Sequence, residues 1–206
     1  PDCALIGEIW ETASHWLDGS MFDSSMNYDL RRHCRRFFAL GDMDAQAFDG
    51  RVTDMLMRYR RQMAYAQLNL LDSHDVSRFL SLCEGNLDRM KLAVLFQMTF
   101  VGMPCVFYGD EKGMTGVLEE EYRRPMPWEN AGGALEAFYR QAIAFRRRYA
   151  ALRRGGFRTV CAQRGGGFYH YLREDGAETL GVMLNASDAP VAVRVPGEML
   201  WRERLN

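Results

Sequence analysis

The sequence has almost no lysine and almost no net charge. Lys91 and Lys112 are its only lysines, so arginine supplies nearly all of the positive charge, and the formal charge of the 206-residue chain is −1. A chain this close to neutrality has no field that would attract nucleic acid or an anionic membrane. Arginine doublets such as Arg31-Arg32 and Arg60-Arg61 are therefore interpreted as solvated helix faces.

Paired cysteines, a long apolar run and an initiator methionine are also missing. The five cysteines are scattered without Cys-x-x-Cys spacing, which indicates neither a zinc knuckle nor a disulfide framework. The longest apolar tract, Leu92 to Tyr108, contains Gly102 and Pro104, so it predicts a helix and a strand rather than a membrane span. We expect a reducing, cytoplasmic location. Because the sequence has no initiator methionine, we expect it to be an internal piece of a longer protein. The lack of a signal peptide in this piece therefore does not exclude secretion.

Four short apolar runs each end in polar residues and lead into helical sequence. Strands separated by helices need crossover connections, which predicts a parallel sheet. The runs are Ala4–Gly7, the weaker Met21–Tyr28, Leu68–Leu71 and Met103–Tyr108. The helices predicted from apolar spacing and capping residues are Asp44 to Tyr59, a helix that follows Asn86 as N-cap, and Ala134 to Tyr149.

The pattern changes after Gly155-Gly156. Short alternating runs separated by glycine-rich turns predict an antiparallel β module. Its strands are predicted at Phe157–Gln163, Phe168–Arg173, Thr179–Leu184 and Val191–Val195, with a truncated strand at Trp201–Asn206. We therefore divide the chain into a β/α region, residues 1–153, and an antiparallel β-sandwich domain, residues 154–206.

Glu8 ends the first strand and lies two residues before Trp10. A carboxyl group against an aromatic ring is partly desolvated, and desolvation favours the protonated form that a general acid needs. The alternative, a strand-end glutamate that caps the next helix, is equally consistent with the motif.

The third strand ends in Asp72-Ser73-His74-Asp75. The carboxyl ends of parallel strands are where β/α barrels place catalytic groups. The alternatives are a helix N-cap aspartate beside a packed histidine, or a metal site. The metal interpretation is weaker, because no second His/Asp cluster at ligand spacing accompanies the segment.

Two further segments follow the fourth strand. Asp110 and Glu111 either line a site or support a loop. The segment Arg123-Arg124-Pro125-Met126-Pro127-Trp128 combines planar donors with an indole, which suits sugar recognition but equally a surface loop anchored by one tryptophan. Paired carboxyl groups beside such a loop are what glycoside hydrolysis needs.

These motifs resemble the α-amylase family of glycoside hydrolases, and most closely its neopullulanase and cyclomaltodextrinase branch. The resemblance covers roughly the first two-thirds of the chain, with the motifs in the family's order. The motifs are Gly7-Glu8-Ile9-Trp10, Asp72-Ser73-His74-Asp75, the segment from Gly102 to Glu111, and Arg123 to Trp128.

The resemblance implies half of a (β/α)8 TIM barrel, strands five to eight with their helices, followed by a small antiparallel β domain. It implies that Glu8 is the general acid/base and that Asp75 stabilises the transition state. It also implies substrate-binding roles for His74, Trp10, Arg124, Arg123 and Arg78. No cofactor is required. Calcium is compatible with the family, but its usual ligands would lie mostly outside this chain.

The family's nucleophilic aspartate, on the fourth barrel strand, has no counterpart here. The leading hypothesis is that the chain is a fragment of a retaining α-glucan hydrolase and is inactive alone. The full enzyme would act on α-1,4 bonds of maltooligosaccharides or cyclodextrins, and the sequence does not decide whether it also cuts α-1,6 bonds. The alternatives are a transglycosylase, a sucrose or trehalose isomerase, or a non-catalytic carbohydrate-binding or structural fragment. The unpaired edges of half a barrel predict self-association or pairing with a missing N-terminal half.

Overall fold

The computed structural model describes residues 3–129 and 133–202. Its first part contains four short parallel strands in two hydrogen-bonded pairs, and a bridge between Met26 and Leu68 joins the pairs. The strands therefore lie side by side in chain order, as crossover connections require. They are β1 (Ile6–Gly7), β2 (Ser24–Ser25), β3 (Leu68–Leu70) and β4 (Met103–Cys105).

Helices occupy the segments between the strands. They are α1 (Tyr28–Cys34), which continues into a π-helical turn (Arg35–Leu40), α2 (Ala45–Arg58), α3 (Arg61–Ala66), α4 (Phe79–Leu82), α5 (Leu87–Thr99), α6 (Glu119–Tyr122), α7 (Ala134–Arg148) and α8 (Ala150–Arg154), with a 3-10 turn at Ala13–His15. None of the helices in the described residues is both long and apolar enough to cross a membrane.

The predicted helix starts are confirmed by their caps. Asp44 accepts a hydrogen bond from the Ala47 amide at the start of α2, and Asn86 accepts from the Asp88 and Arg89 amides at the start of α5. On α7 the apolar Ile143 is 38% exposed, whereas Arg146 is 8% exposed and bonds three main-chain carbonyls.

The C-terminal region is one antiparallel sheet in the order β5 (Gly156–Ala162), β6 (Phe168–Asp175), β7 (Glu178–Asn185). The predicted strand at Val191–Val195 does not form, and Trp201 and Arg202 are not in a strand. The rest of the predicted final strand lies outside the described residues. A sandwich needs two facing sheets, and the described residues supply one, which packs against helices instead.

Aromatic side chains join this sheet to the helices in a continuous core. Tyr169 of β6 lies 5.6 Å from Phe48 of α2 between ring centroids, and Tyr171 lies 5.9 Å from Phe96 of α5. The Tyr171 hydroxyl is 2.5 Å from Thr99 Oγ1. Gln97 of α5 links the parallel strands β3 and β4 by donating to the carbonyls of Asn69 and Cys105.

Candidate active site

Three of the predicted site residues meet at the carboxyl ends of β1 and β3. Glu8 directly follows β1, and His74 and Asp75 lie in the loop after β3. One side-chain ligand atom from each of the three lies within 4.8 Å of the others, and His74 Nε2 is 3.2 Å from Asp75 Oδ2. Glu8 and His74 are exposed and Asp75 is half-buried, so the cluster faces solvent.

Arg123 joins this cluster, whereas Arg124 does not. The Arg123 guanidinium donates to Asp75 Oδ1 at 2.9 Å and to the His74 carbonyl at 2.7 Å. The Arg124 guanidinium instead donates to the carbonyls of Thr115 and Glu121 within its own loop. The resemblance implied a substrate-binding role for both arginines, and the structure brings only Arg123 to Asp75.

Trp10 stacks on Tyr28 and not on the general-acid candidate. The two rings are parallel within 16°, with centroids 4.0 Å apart, and Trp10 is 45% exposed. The desolvation of Glu8 by Trp10 expected from the sequence is therefore not present, because Glu8 is exposed and one face of the indole is covered by Tyr28.

Tyr28 supports the loop that carries Asp75. Its hydroxyl is 3.0 Å from Ser73 Oγ, and the Asp75 amide donates to the same Ser73 oxygen at 3.2 Å. Burial raises the pKa of Tyr28, so the phenol stays protonated at neutral pH and remains a hydrogen-bond donor. The ring thus connects Trp10 with the main chain at Asp75.

Arg31 of α1 closes the same loop. Its guanidinium donates to the Leu71 carbonyl at 2.7 Å and to the Ser77 carbonyl at 2.9 Å. One side chain, 11% exposed, therefore holds both ends of the segment that contains His74 and Asp75. Residues 72–77 have no regular secondary structure, so the Arg31 bonds, rather than main-chain bonds of a helix or sheet, set the shape of this loop.

Arg78 lies beneath the site and is 0% exposed. Its guanidinium donates to Asp110 Oδ1 at 2.9 Å and to the Tyr108 carbonyl at 2.6 Å, and it lies 4.3 Å from the centroid of the Phe107 ring. Arg78 was predicted to contact substrate, whereas in this structure its guanidinium is buried on these partners.

Asp72 and Asp110 are neighbouring buried carboxyl groups in the same network. Asp72 Oδ2 accepts from the Phe79 amide at 2.8 Å and so caps the start of α4. Burial raises the pKa of both carboxyls, and the charge of Asp72 raises the pKa of Asp110 further. These groups support the ends of β3 and β4 and are not exposed to substrate.

The loop from Arg123 to Trp128 is fixed at one end and open at the other. Tyr108 donates its hydroxyl hydrogen to the Arg124 carbonyl at 2.8 Å. Trp128 is 81% exposed and therefore does not anchor the loop. Its exposed indole is available as an apolar platform.

Comparison with known proteins defines the class. The model of the α-amylase catalytic domain matches residues 1–151. The chain is 43% identical to neopullulanase 2 of Thermoactinomyces vulgaris over 212 residues, which covers 100% of this chain and 36% of that protein. It is 41% identical to a cyclomaltodextrinase of Geobacillus thermopakistaniensis, with 95% of this chain and 34% of that protein covered.

The fold agrees with the sequence comparison. A solved cyclomaltodextrinase superposes with a TM-score of 0.86 and 40% identity over 90% of this chain and 32% of that one. The matched structures are TIM-barrel enzymes, of which this chain covers a part. The chain belongs to the α-amylase family of glycoside hydrolases. It spans about a third of the length of the curated relatives it matches.

Tyr28, Ser73 and Arg31 shape the site but were not predicted to do so. Ser73 lies inside the Asp72–Asp75 motif, and Tyr28 ends the run assigned to the second strand. Arg31 belongs to a doublet interpreted as solvated, and no sequence signal separates it from Arg32, whose side chain is 57% exposed. Only the crossing of α1 behind the loop distinguishes the two arginines.

Proposed function

We propose that this chain supplies the acid/base and the transition-state carboxylate of a retaining α-glucan hydrolase. The observation that carries the proposal is the meeting of Glu8, His74 and Asp75 at the carboxyl ends of two parallel strands. Glu8, exposed to solvent, protonates the glycosidic oxygen while an aspartate outside this chain attacks the anomeric carbon and that bond breaks. As a carboxylate, Glu8 then takes a proton from the water that displaces this aspartate from the sugar. Asp75 and His74 bind ring hydroxyls while oxocarbenium character develops.

Arg123 and Arg31 position Asp75 for this task. The Arg123 bond occupies Asp75 Oδ1, which leaves Oδ2 towards His74 and the substrate. The Arg31 bonds hold the loop ends, so that the carboxylate does not have to be ordered when substrate binds. Proton transfer and hydrogen bonding account for these steps without a cofactor.

The substrate is proposed from the names of the relatives. They are called neopullulanase, cyclomaltodextrinase and maltogenic α-amylase, which points to maltooligosaccharides or cyclodextrins with α-1,4 bonds and, as a second target, α-1,6 bonds. The indoles of Trp10, two residues after Glu8, and of Trp128 are exposed and are suited to stacking on sugar rings.

The chain is proposed to be the second half of the barrel, residues 1–153, with its C-terminal β domain, residues 154–206, while the nucleophilic aspartate lies outside it. Within the described residues β1 pairs only with β2 and β4 only with β3, so each has an open edge. Leu5 is 51% exposed and Met103 is 41% exposed at these edges. A missing half barrel or a second copy would cover them, and a monomeric chain in light scattering at micromolar concentration would contradict self-association.

The test has two arms. The chain alone, incubated with maltotriose, pullulan and cyclodextrin, is expected to release no product. In the full-length protein, Glu8→Gln should lower kcat by about 100- to 10,000-fold, while Glu11→Gln, also exposed, should leave kcat unchanged. If the chain alone hydrolyses these substrates and Glu8→Gln abolishes that hydrolysis, the nucleophile is not external. If the full-length Glu8→Gln variant keeps full activity, Glu8 is not the acid/base.

Transglycosylation is a second candidate. It is favoured by the 81% exposure of Trp128, because an acceptor sugar that competes with water needs an apolar surface to bind. Product analysis at high maltose concentration separates the two reactions: longer oligosaccharides indicate transfer, and glucose and maltose alone indicate hydrolysis. Loss of the longer products in Trp128→Ala, with hydrolysis retained, would assign the acceptor site.

A further inference from the structure

We propose that Glu8, His74 and Asp75 also form a binding site for a zinc ion, which would block the site when occupied. Each residue offers one ligand atom, and the three atoms lie within 4.8 Å of one another. Imidazole nitrogen and carboxylate oxygen are a donor set that zinc binds, with bonds of about 2.0–2.2 Å. A metal site at His74 and Asp75 was the weaker interpretation of the sequence, because the third ligand, Glu8, is far from them along the chain.

The geometry needs only a small closure. Tetrahedral ligands at those bond lengths lie roughly 3.3 Å apart, and His74 Nε2 and Asp75 Oδ2 are already 3.2 Å apart. Glu8 is exposed, so its carboxylate can close the remaining gap through ordinary rotamers without displacing packed atoms. Three protein ligands leave a fourth position for water, as in zinc sites that are open to solvent.

Two of the ligands are held in place before a metal arrives. Arg31 fixes both ends of the loop that carries His74 and Asp75, and the Asp75 amide donates to Ser73 Oγ. The third ligand, Glu8, directly follows β1, which is hydrogen-bonded to β2. Ligands on two anchored elements lose less conformational entropy on binding than three ligands on one flexible loop would lose.

Arg123 opposes the metal. Its guanidinium donates to Asp75 Oδ1 at 2.9 Å and places a positive charge beside the proposed cation. Asp75 Oδ2 remains for the metal, on the side of His74. The affinity should therefore be modest.

Zinc and sugar would use the same atoms. If Glu8 and Asp75 have the roles proposed above, zinc must be released before catalysis, so the ion would act as a reversible competitive inhibitor. This consequence rests on the proposed function, but the binding site itself does not.

The experiment is a zinc titration of the purified chain by calorimetry near neutral pH. One site is expected. His74→Ala and Glu8→Gln should each weaken binding by at least about tenfold, because the loss of a residue that merely orients a metal ligand already costs about 10- to 100-fold. His15→Ala and Glu11→Gln are matched controls on exposed residues and should bind as the parent does. Circular dichroism checks that each variant is folded. We expect that it is, because Glu8 and His74 are both exposed.

A second pair of variants tests the sign of the charge effect. Arg123→Gln should tighten zinc binding several-fold, because it removes the cation that contacts Asp75, whereas Arg124→Gln should change it little, because that guanidinium bonds loop carbonyls. Unchanged affinity in His74→Ala would overturn the proposal. Zinc binding that disappears when the exposed thiols of Cys3 and Cys161 are alkylated would overturn it too. Neither result would bear on the hydrolase activity.

Discussion

Charged side chains are exposed at the candidate active site but buried where the helices pack against the antiparallel sheet. At the site, Glu8, His74 and Arg123 are exposed, and Arg123 bonds the half-buried carboxylate of Asp75. Against the antiparallel sheet, Arg173 and Arg146 are 0% and 8% exposed, and within the described residues no carboxylate pairs with either of them.

Main-chain carbonyls replace the missing counter-ions at the sheet. Arg173 donates to the carbonyls of Thr99, Leu152, Gly155 and Gly156. Arg146 donates to those of Met98, Phe100 and Gly102. Most of these carbonyls belong to the last turn of α5 or follow it, where the helix leaves acceptors unpaired and its dipole is negative.

The comparison separates two uses of arginine. A guanidinium bonded to fixed carbonyls is a permanent part of the fold, and its loss should show in stability. A guanidinium bonded to an exposed carboxylate is adjustable, and its loss should show in binding. Arg31 lies between the two cases, because it is mostly buried but holds the loop of the site.

Replacing Arg173 with methionine should give the largest effect. The change removes a buried cation and leaves four carbonyls without their donor, so the free energy of unfolding should fall by about 3–5 kcal/mol. Urea unfolding of the purified chain measures this. Arg158→Met is the control: Arg158 bonds Glu174 on the exposed side of the same sheet and should matter little. Equal stability of the two variants would remove the distinction between the two kinds of arginine.

Replacing Arg31 with methionine should give an intermediate effect. Two loop carbonyls lose their donor, which should cost about 1–3 kcal/mol. Amide hydrogen exchange should accelerate locally at residues 72–77, because the clamp holds that segment. The control is Arg32→Met, in the adjacent exposed residue, which bonds Asp29 on its own helix. Faster exchange spread evenly over the chain would indicate general destabilisation and contradict a local clamp.

Much of the fold could be predicted because its signals are local. Caps at Asp44 and Asn86 and apolar spacing predicted α2 and α5 to within a residue or two, and the polar ends of β1 and β3 pointed to the site. Parallel strands bring such ends to one edge, so the meeting of Glu8 with Asp75 followed from topology alone.

What failed depended on packing between distant segments. Arg78, Arg146 and Arg173 are chemically identical to solvated arginines, and only the carbonyls that surround them make burial tolerable. The alternating Val191–Val195 run forms no strand, since alternation does not supply a partner edge. Trp10 was expected to desolvate Glu8, but Tyr28, from another segment, covers its ring.

Replacing His33 with glutamine should give the smallest effect, visible mainly as a pH dependence. His33 lies on α1 in the same helix as Arg31; its Nε2 is 3.5 Å from Asp29, and its Nδ1 is buried without a partner. Burial lowers the pKa of His33 below its ordinary value of 6.5, although Asp29 opposes the shift.

The sign follows from proton uptake. Because the unfolded chain binds this proton at a higher pH than the folded chain, His33 costs no stability above about pH 7, and stability falls as the pH drops below about 6.5 towards the folded pKa. In His33→Gln, the free energy of unfolding should therefore decline less between about pH 7 and about pH 5. Urea unfolding across this range, with the exposed His15→Gln as control, measures the difference. Parallel pH profiles for the parent and His33→Gln would show that the buried imidazole does not carry the cost assigned to it.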